Sequence, residues 1–242
     1  MDLRGVPSSV LEALQGAARA LGISRLALVG GVVRDQLLHQ RCGRAWSGVP
    51  DLDWVVEGDA AALVAELIRQ VGSERITDVQ EHGAFGTVAF QLDGIPLDLA
   101  TARQEHYPAL AENPVVQAGT LQADLARRDF TVNAMALDLV GNELIDLHHG
   151  QEDLAAGQLR FLHAGSVQDD PTRVIRAARY AARLGFQLAM ESRAQISSTI
   201  QMWPWSWRQG DPAMAAPPAL ATRLRMELER LLEREPWPQA LD

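Results

Sequence analysis

The sequence is poor in cysteine and in long apolar runs. Its one cysteine, Cys42, cannot form an internal disulfide, and no Cys/His pairing has the spacing of a zinc site. No apolar run approaches the roughly 20 residues that a transmembrane helix needs. The N-terminus also lacks a basic region followed by an apolar signal core. We therefore predict a cytoplasmic protein that does not span a membrane.

Basic residues are fewer than acidic ones, 22 against 31, which gives a net charge of −9. This balance argues against a broadly basic surface that coats nucleic acid. Arg173, Arg176, Arg179 and Arg183 nevertheless fall near one face of a single predicted helix, so a local basic groove stays open. The apolar fraction of 47% is that of an ordinary globular protein, and 242 residues suit one large domain or two small ones.

Hydrophobic patterning predicts a mixed sheet in the first part of the chain. The predicted strands are RLALVGG, DLDWVVEG, ERITDVQ, GTVAFQL and IPLDLATA. Asp59 is a plausible N-cap for the helix after the second of these strands. From Leu121 onward the pattern is mostly helical, except in MALDLVGNELID, where Gly141 and Asn142 predict a hairpin turn.

These patterns predict an α+β fold with two parts. We expect a head domain with a mixed β-sheet and helices over residues 1–140, followed by an all-α neck over residues 141–200. Residues 201–242 are expected to form a linker rich in tryptophan and proline and then a terminal helix.

Two acids in the second predicted strand are candidate metal ligands. Asp51 and Asp53 are two residues apart, so their side chains project to the same face and their oxygens can converge on a divalent cation. Asp98, in a later predicted strand, would supply a third carboxylate. An isolated pair of this kind is more often a turn or a solvated strand end, and for Asp98 the structural and functional interpretations both stay open.

A glycine pair offers a candidate phosphate site. Gly30 and Gly31 end a predicted strand and open a helix, which lets backbone amides approach phosphates at the positive helix end. A structural tight turn is the alternative. Arg34 could meet a phosphate, while Asp35 could fix Arg34 or sit in the first helical turn.

A third segment, DDPTRVIRAARYAARLGF, predicts a helix whose start carries two acids. Asp170 and Arg173 are three residues apart, and we expect them to be neighbours on one helical turn. An acid that accepts from an exocyclic amine and an arginine that donates in a fixed fork could together read a nucleobase edge. An N-terminal cap with an acidic first turn is the alternative, and both can hold.

The order of these segments resembles the class II tRNA nucleotidyltransferase and bacterial poly(A) polymerase family. GGVVRD is followed by DLDWVVEGDA, LDLATARQEHY, DLARRDFTVNAMALDL and the DDPTR helix, from about Leu26 to Gly185. The resemblance implies a nucleotidyltransferase-like head and a helical neck. It also implies metal ligation by Asp51 and Asp53, with Asp98 as the third catalytic carboxylate. The nucleotide-binding residues that it implies are Gly30, Gly31, Arg34, Arg103, Arg127, Arg128, Asp129, Asn133, Asp170, Arg173, Arg176 and Arg179.

The reaction that the resemblance implies is template-independent transfer of C, A or both from CTP and ATP to the 3′ end of tRNA. Mg²⁺ would be the cofactor in a two-metal mechanism, without a covalent intermediate. A specialist that adds only A or only CC, or a poly(A) polymerase, is an alternative with the same chemistry. An inactive remnant that binds RNA or nucleotide is an alternative of a different class.

Two features depart from the family pattern. Asp169 stands where the base-reading motif usually has Glu, which shortens the group expected to orient Arg173. The family also continues into a body and tail that hold the tRNA acceptor arm, whereas we expect this chain to comprise a head and a truncated neck. Fewer phosphate contacts would then weaken tRNA binding.

Overall fold

A computed structural model describes residues 3–46, 52–82, 86–108, 111–202 and 218–235 of the chain. Two predicted features, Asp51 and most of the linker rich in tryptophan and proline, lie outside the described residues. The chain divides into two compact units. The first unit comprises Met1–Gln104, Val116–Arg128 and Val132–Gln151, and the second comprises Glu105–Val115, Asp129–Thr131 and Glu152–Asp242.

The helices of the described residues are α1 (Ser8–Ala20), α2 (Gly31–Cys42), α3 (Ala60–Val71), α4 (Leu121–Ala126), α5 (Gly150–Ala156), α6 (Ser166–Asp169), α7 (Arg173–Leu184), α8 (Met190–Met202) and α9 (Pro218–Arg234). The strands are β1 (Leu26–Val29), β2 (Leu52–Val56), β3 (Ile76–His82), β4 (Thr87–Leu92), β5 (Ile95–Thr101), β6 (Arg103–His106), β7 (Val115–Ala118), β8 (Met135–Asp138), β9 (Glu143–Asp146), β10 (Gln158–Leu159) and β11 (Gln187–Leu188). Within the described part of the chain, none of these helices is long and apolar enough to cross a membrane.

The first unit is built on a seven-stranded sheet with the order β3-β4-β5-β2-β1-β8-β9. β2 and β5 pair in parallel, while the other neighbouring pairs in this sheet are antiparallel. The predicted mixed sheet and α+β class are therefore confirmed. The predicted hairpin is also present as β8 and β9, with Asn142 at a positive φ of 53°. The expected end of the head at residue 140 falls inside this hairpin, and the first unit continues to Gln151.

Apolar side chains fix the centre of the sheet and the helices that pack on it. The four residues of β1 are all buried, as are the four of β8. Leu121 and Leu125 of α4 join a core cluster with Val29 of β1 and Val55 of β2. The side chain of Asp59 caps α3 by accepting hydrogen bonds from the backbone of Ala61 and Ala62, as predicted. The core thereby holds β2 and α4 in place.

The second unit is mainly helical, with α7 packed against α9 and α6 against α8. β10 and β11 form a short parallel pair that the sequence pattern did not predict. The prediction for the start of α7 was wrong. Asp169 ends the short helix α6, and Asp170 follows it with an extended backbone, φ −140° and ψ 95°. Because Pro171 breaks the helical hydrogen-bond pattern, α7 begins only at Arg173.

Candidate active site

Two carboxylates lie side by side on neighbouring strands of the first unit. Asp53 of β2 and Asp98 of β5 are direct partners in the parallel register, so their side chains project to the same face of the sheet. Both are exposed, although the residues immediately before and after each of them in the chain are buried. The predicted convergence of Asp98 on the DLD segment is therefore present in the fold.

A glycine turn lies beside Asp53. Gly30 connects β1 to α2 with φ 75° and ψ −134°, a conformation that is essentially restricted to glycine. A Cβ at Gly30 would lie 3.1 Å from Nη1 of Arg128 and 3.9 Å from Oδ2 of Asp53. Gly31 begins α2, whose first backbone N–H groups lack helical partners. The turn thus brings together an amide-rich helix start, a carboxylate and an arginine.

Arg128 is held by a carboxylate that is fully buried. Asp124 of α4 accepts a hydrogen bond from Nη2 of Arg128 at 3.0 Å through Oδ2. Its other oxygen, Oδ1, accepts from Nε of Arg127 at 3.0 Å and from Nη2 of Arg127 at 2.6 Å. Within the described residues, the buried Nε of Arg128 has no hydrogen-bond partner. A buried cationic N–H group in this condition favours binding of an anion.

Arg34 and Asn133 also lie in the first unit, where they bind each other. Nη1 of Arg34 donates to Oδ1 of Asn133 at 2.7 Å, and Nε of Arg34 donates to Asp35 at 2.8 Å. Both Arg34 and Asn133 are almost completely buried. The predicted contact between Asp35 and Arg34 is confirmed, and this network supports the start of α2. Arg103, also predicted to bind nucleotide, begins β6 and is half-buried.

The second unit contains the two residues predicted to read the base. Oδ1 of Asp170 accepts hydrogen bonds from the backbone N–H of Thr172 at 3.1 Å and from its hydroxyl at 2.7 Å. Arg173 is buried and donates from Nη1 to the carbonyl of Ser166 at 3.2 Å. Oδ2 of Asp169 lies 3.6 Å from Nε2 of His163, whose pKa is lowered by burial and by the charge of Arg173.

Three further predicted residues of the second unit form ion pairs. Arg176 donates from Nη2 to Oδ2 of Asp129 at 2.6 Å and from Nη1 to Glu227 at 3.2 Å. The pKa of Arg176 is raised, mainly by the charge of Asp129. Arg179 also donates to Glu227. A nucleotide that binds Arg176 or Arg179 would have to compete with these carboxylates, and their nucleotide-binding role stays a prediction.

The donor set around Asp53 suits a hard divalent cation. Carboxylate oxygens are the ligands that Mg²⁺ and similar ions prefer, and Asp53 and Asp98 place two carboxyl groups at one exposed position. In the described ranges, no three His, Cys, Asp or Glu side chains gather at a metal-binding distance. Asp51, the third expected member, lies outside those ranges.

The sequence motifs did not single out Asp124 and Glu227, which form ion pairs with the arginines of the two units. A signal for Asp124 was present, because it precedes Arg127 by three residues and Arg128 by four, the spacing of helical ion pairs. Glu227 lies about fifty residues beyond Arg176 and Arg179, its partners on α7. No local pattern could have paired it with them.

The sequence of this chain is similar to those of known tRNA nucleotidyltransferases. An A-adding tRNA nucleotidyltransferase of Aquifex aeolicus is 39% identical over 181 residues, which cover 74% of this chain and 21% of the relative. A CC-adding tRNA nucleotidyltransferase of Deinococcus radiodurans is 40% identical over 210 residues, which cover 83% of this chain and 53% of the relative. This chain therefore spans about half the length or less of these curated relatives.

A solved structure shows the same likeness. It is a tRNA nucleotidyltransferase complexed with a primer tRNA and an incoming ATP analogue, 32% identical, with a TM-score of 0.73. The match covers 94% of this chain and 58% of that one. Nucleotidyltransferases of this type generally use divalent metal ions. The family model described as the poly A polymerase head domain matches residues 26–160, more than half of the sequence, and the chain therefore belongs to that family.

Proposed function

We propose that this protein is a metal-dependent nucleotidyltransferase that adds C, A or both from CTP and ATP to the 3′ end of tRNA. The observation that carries the proposal is the pairing of Asp53 with Asp98 beside the Gly30 turn and Arg128. A carboxylate pair next to a glycine turn and an arginine suits nucleotidyl transfer, which depends on charge stabilisation and positioning of the phosphates. The named activities of the relatives support tRNA as the acceptor. We place the reaction in the cytoplasm.

The residues that would hold the metal are Asp53 and Asp98, with Asp51 as the third candidate. We propose Mg²⁺, because it takes oxygen ligands and retains positions for substrate phosphates. When bound, the metal would lower the pKa of the attacking 3′ hydroxyl and neutralise charge on the leaving pyrophosphate.

The chain's own groups would bind and orient the triphosphate. Backbone N–H groups at the start of α2, beginning with Gly31, would donate to phosphate oxygens at the positive helix end. Arg128, whose Nη1 lies beside the Gly30 turn, would donate to the same phosphates. Since nucleotidyl transfer depends on positioning and charge stabilisation, these contacts would align the α-phosphate with the incoming hydroxyl.

Asp170 and Arg173 are the residues that we propose select the base. With Oδ1 of Asp170 holding Thr172, its Oδ2 would accept from the exocyclic amine of cytosine or adenine. Arg173 would donate to the acceptor on the same base edge. Uracil and guanine carry a carbonyl where cytosine and adenine carry this amine, so they would be disfavoured. The sequence identity of this chain to the A-adding relative, 39%, is nearly the same as its identity to the CC-adding relative, 40%. An assay must therefore determine which nucleotides are added.

The test is primer extension by the purified chain with Mg²⁺. Transcripts of tRNA that end before C, after C and after CC are incubated with each nucleoside triphosphate alone. We expect extension with CTP, ATP or both, and none with UTP or GTP. Asp53→Asn should lower the rate about 10³-fold, because metal ligation contributes several kcal/mol and each 1.36 kcal/mol is tenfold.

A matched control is Asp93→Asn. Asp93 is an exposed aspartate of the turn between β4 and β5, where φ is 53° and asparagine is equally tolerated. It should leave the rate unchanged. Failure to extend any of the three transcripts with any nucleotide would exclude the proposed function. ATP addition without limit would point instead to a poly(A) polymerase.

A further inference from the structure

Asp124 is the most completely enclosed ionisable group near the Gly30 turn. It is 0% exposed and lies in α4, a short helix fixed on both sides of it by Leu121 and Leu125 in the core cluster. The backbone N–H of Leu121 donates to the carboxylate of Glu57, which ties the start of α4 to the end of β2. The carboxylate of Asp124 is therefore placed by the fold.

Asp124 holds Arg128 by one end of the guanidinium fork. Nη2 of Arg128 donates to Oδ2 of Asp124, while Nη1 is the atom that lies 3.1 Å from the Cβ position of Gly30. The side chain of Arg128 is only 17% exposed. Its Nε is buried without a hydrogen-bond partner in the described part of the chain. The guanidinium is thus fixed from one side and directed at the glycine turn on the other.

We propose that Asp124 is a positioning residue that orients Arg128 over the Gly30 turn to bind the polyphosphate of a nucleotide. The proposal rests on the function proposed above and adds a residue to its phosphate site. Asp124 acts through Arg128, because its own oxygens are occupied by Arg127 and Arg128. A fixed arginine loses less conformational entropy on binding than a mobile one, so removal of the anchor should weaken phosphate binding.

The test is Asp124→Asn, which keeps the side-chain shape and removes the charge. Affinities for ATP, CTP and inorganic tripolyphosphate are measured by equilibrium titration with Mg²⁺, together with KM and kcat. We expect all three affinities to fall about tenfold, since a hydrogen bond to a charged group contributes enough for such a change. KM should rise more than kcat falls. A loss for the nucleotides alone, with tripolyphosphate binding unchanged, would overturn the proposal.

Asp138→Asn is the matched control. Asp138 is a second buried aspartate of the first unit, bonded to Arg25 at 2.6 Å and to the backbone N–H groups of Val140 and Gly141. Its loss should lower stability and leave tripolyphosphate affinity within twofold of the wild type. Equal weakening by both variants would show that Asp124 contributes only to folding.

A double-mutant cycle tests the route through Arg128. In an Arg128→Gln background, Asp124→Asn should change tripolyphosphate affinity no further, because the group that it positions is gone. Full additivity would contradict the proposal. If Asp124→Asn does not fold, Arg128→Lys serves instead. Lysine keeps the positive charge but has a single terminal nitrogen, so it cannot bond Asp124 with one nitrogen and approach the Gly30 turn with another. Wild-type affinity in Arg128→Lys would then overturn the proposal.

These measurements separate the inference from the proposed function. A chain that binds tripolyphosphate with the expected Asp124 dependence, yet extends no tRNA, would refute only tRNA nucleotidyl transfer. A chain that extends tRNA while Asp124→Asn retains wild-type KM and tripolyphosphate affinity would refute only the positioning role.

Discussion

The arginines beside the Gly30 turn and the arginines of α7 differ in how carboxylates neutralise them. The chain has 22 arginines and no lysine, so both groups consist of the same kind of side chain. Arg127 and Arg128 are bonded to the same carboxylate, Asp124. By contrast, Arg176, Arg179 and Arg183 form a ladder with several carboxylates.

The ladder on α7 consists of alternating cations and anions. Arg176 contacts Asp129 and Glu227, Arg179 contacts Glu227 and Glu235, and Arg183 contacts Glu235. The carboxylates in this ladder are buried: Asp129, Glu227 and Glu235. A network of this kind stabilises the packing of α7 on α9.

The difference teaches that arginine density does not identify a phosphate site. Nucleotide binding was predicted for Arg128 and Arg179 alike. In the structure, Arg179 forms ion pairs with two buried carboxylates, Glu227 and Glu235, whereas Arg128 is bonded to one, Asp124, and has its Nη1 3.1 Å from the Cβ position of Gly30. Nε of both arginines lacks a hydrogen-bond partner in the described residues. We expect the number and position of nearby carboxylates to distinguish an arginine that binds an external anion from one that stabilises the fold.

The largest expected effect comes from breaking the ladder with Glu227→Gln. Glu227 accepts from Arg176, Arg179 and Arg230, so its neutralisation removes the carboxylate that these three cations share, including the partner of the buried Arg179. Removal of one partner from a buried ion pair costs about 3–5 kcal/mol. Urea unfolding should show a loss of this size.

Glu229→Gln is the control on the same helix. Glu229 forms an exposed pair with Arg225, and such pairs contribute about 0.3–0.5 kcal/mol. A loss below 1 kcal/mol for Glu227→Gln would mean that the ladder is not a stabilising network, and the contrast between the two arginine groups would fail.

The next effect distinguishes Arg128 from Arg179 directly. Arg128→Gln should lower ATP affinity about 10- to 100-fold, because a charge-assisted hydrogen bond is worth about 1.5–3 kcal/mol. Its effect on stability should be small, because Asp124 retains Arg127 as a partner. ATP affinity is measured by equilibrium titration and stability by urea unfolding.

Arg179→Gln should give the opposite pattern, with a large loss of stability and ATP affinity within about threefold of the wild type. If Arg179→Gln weakened ATP binding as strongly as Arg128→Gln, the nucleotide-binding role predicted for Arg179 would be supported and the proposed division of roles would be wrong.

Local patterns predicted much of the fold. Alternating β-formers, the Asp59 cap and the Gly141-Asn142 turn each depend on residues a few positions apart, and each was found in the structure. The start of α7 was misplaced because two acids before a helical run imitate a capped first turn, while Pro171 determines where the helix begins.

The candidate site was only partly predictable because its pairings are distant in sequence. The register that aligns Asp53 with Asp98 depends on how β5 pairs with β2, and the sequence patterns alone do not specify this register. Among the described residues, β11 and α8 lie between α7 and two of the carboxylates that neutralise it, Glu227 and Glu235. Motifs could indicate the candidate site residues, whereas their hydrogen-bond and ion-pair partners became visible only in the tertiary structure.

The smallest expected effect on stability belongs to the exposed ion pair between Arg75 and Asp93, in contrast to the buried ion pairs of Asp124 and of α7. Nη2 of Arg75 lies 2.6 Å from Oδ2 of Asp93, and this hydrogen bond lowers the pKa of Asp93 below its ordinary value of 3.8. A lowered carboxyl pKa in the folded state stabilises the protein above the unfolded pKa, and that contribution is lost as the pH falls through the folded value. Urea unfolding should therefore show Asp93→Asn slightly less stable than the wild type at pH 7, with the difference shrinking as the pH falls below 3.8. Added salt should shrink it too, because solvent-exposed charges are screened. A stability difference that stayed the same in acid would mean that Asp93 acts through its turn geometry and not through its charge. The exposed pair could then not be compared with the ion pairs of Asp124 and of α7.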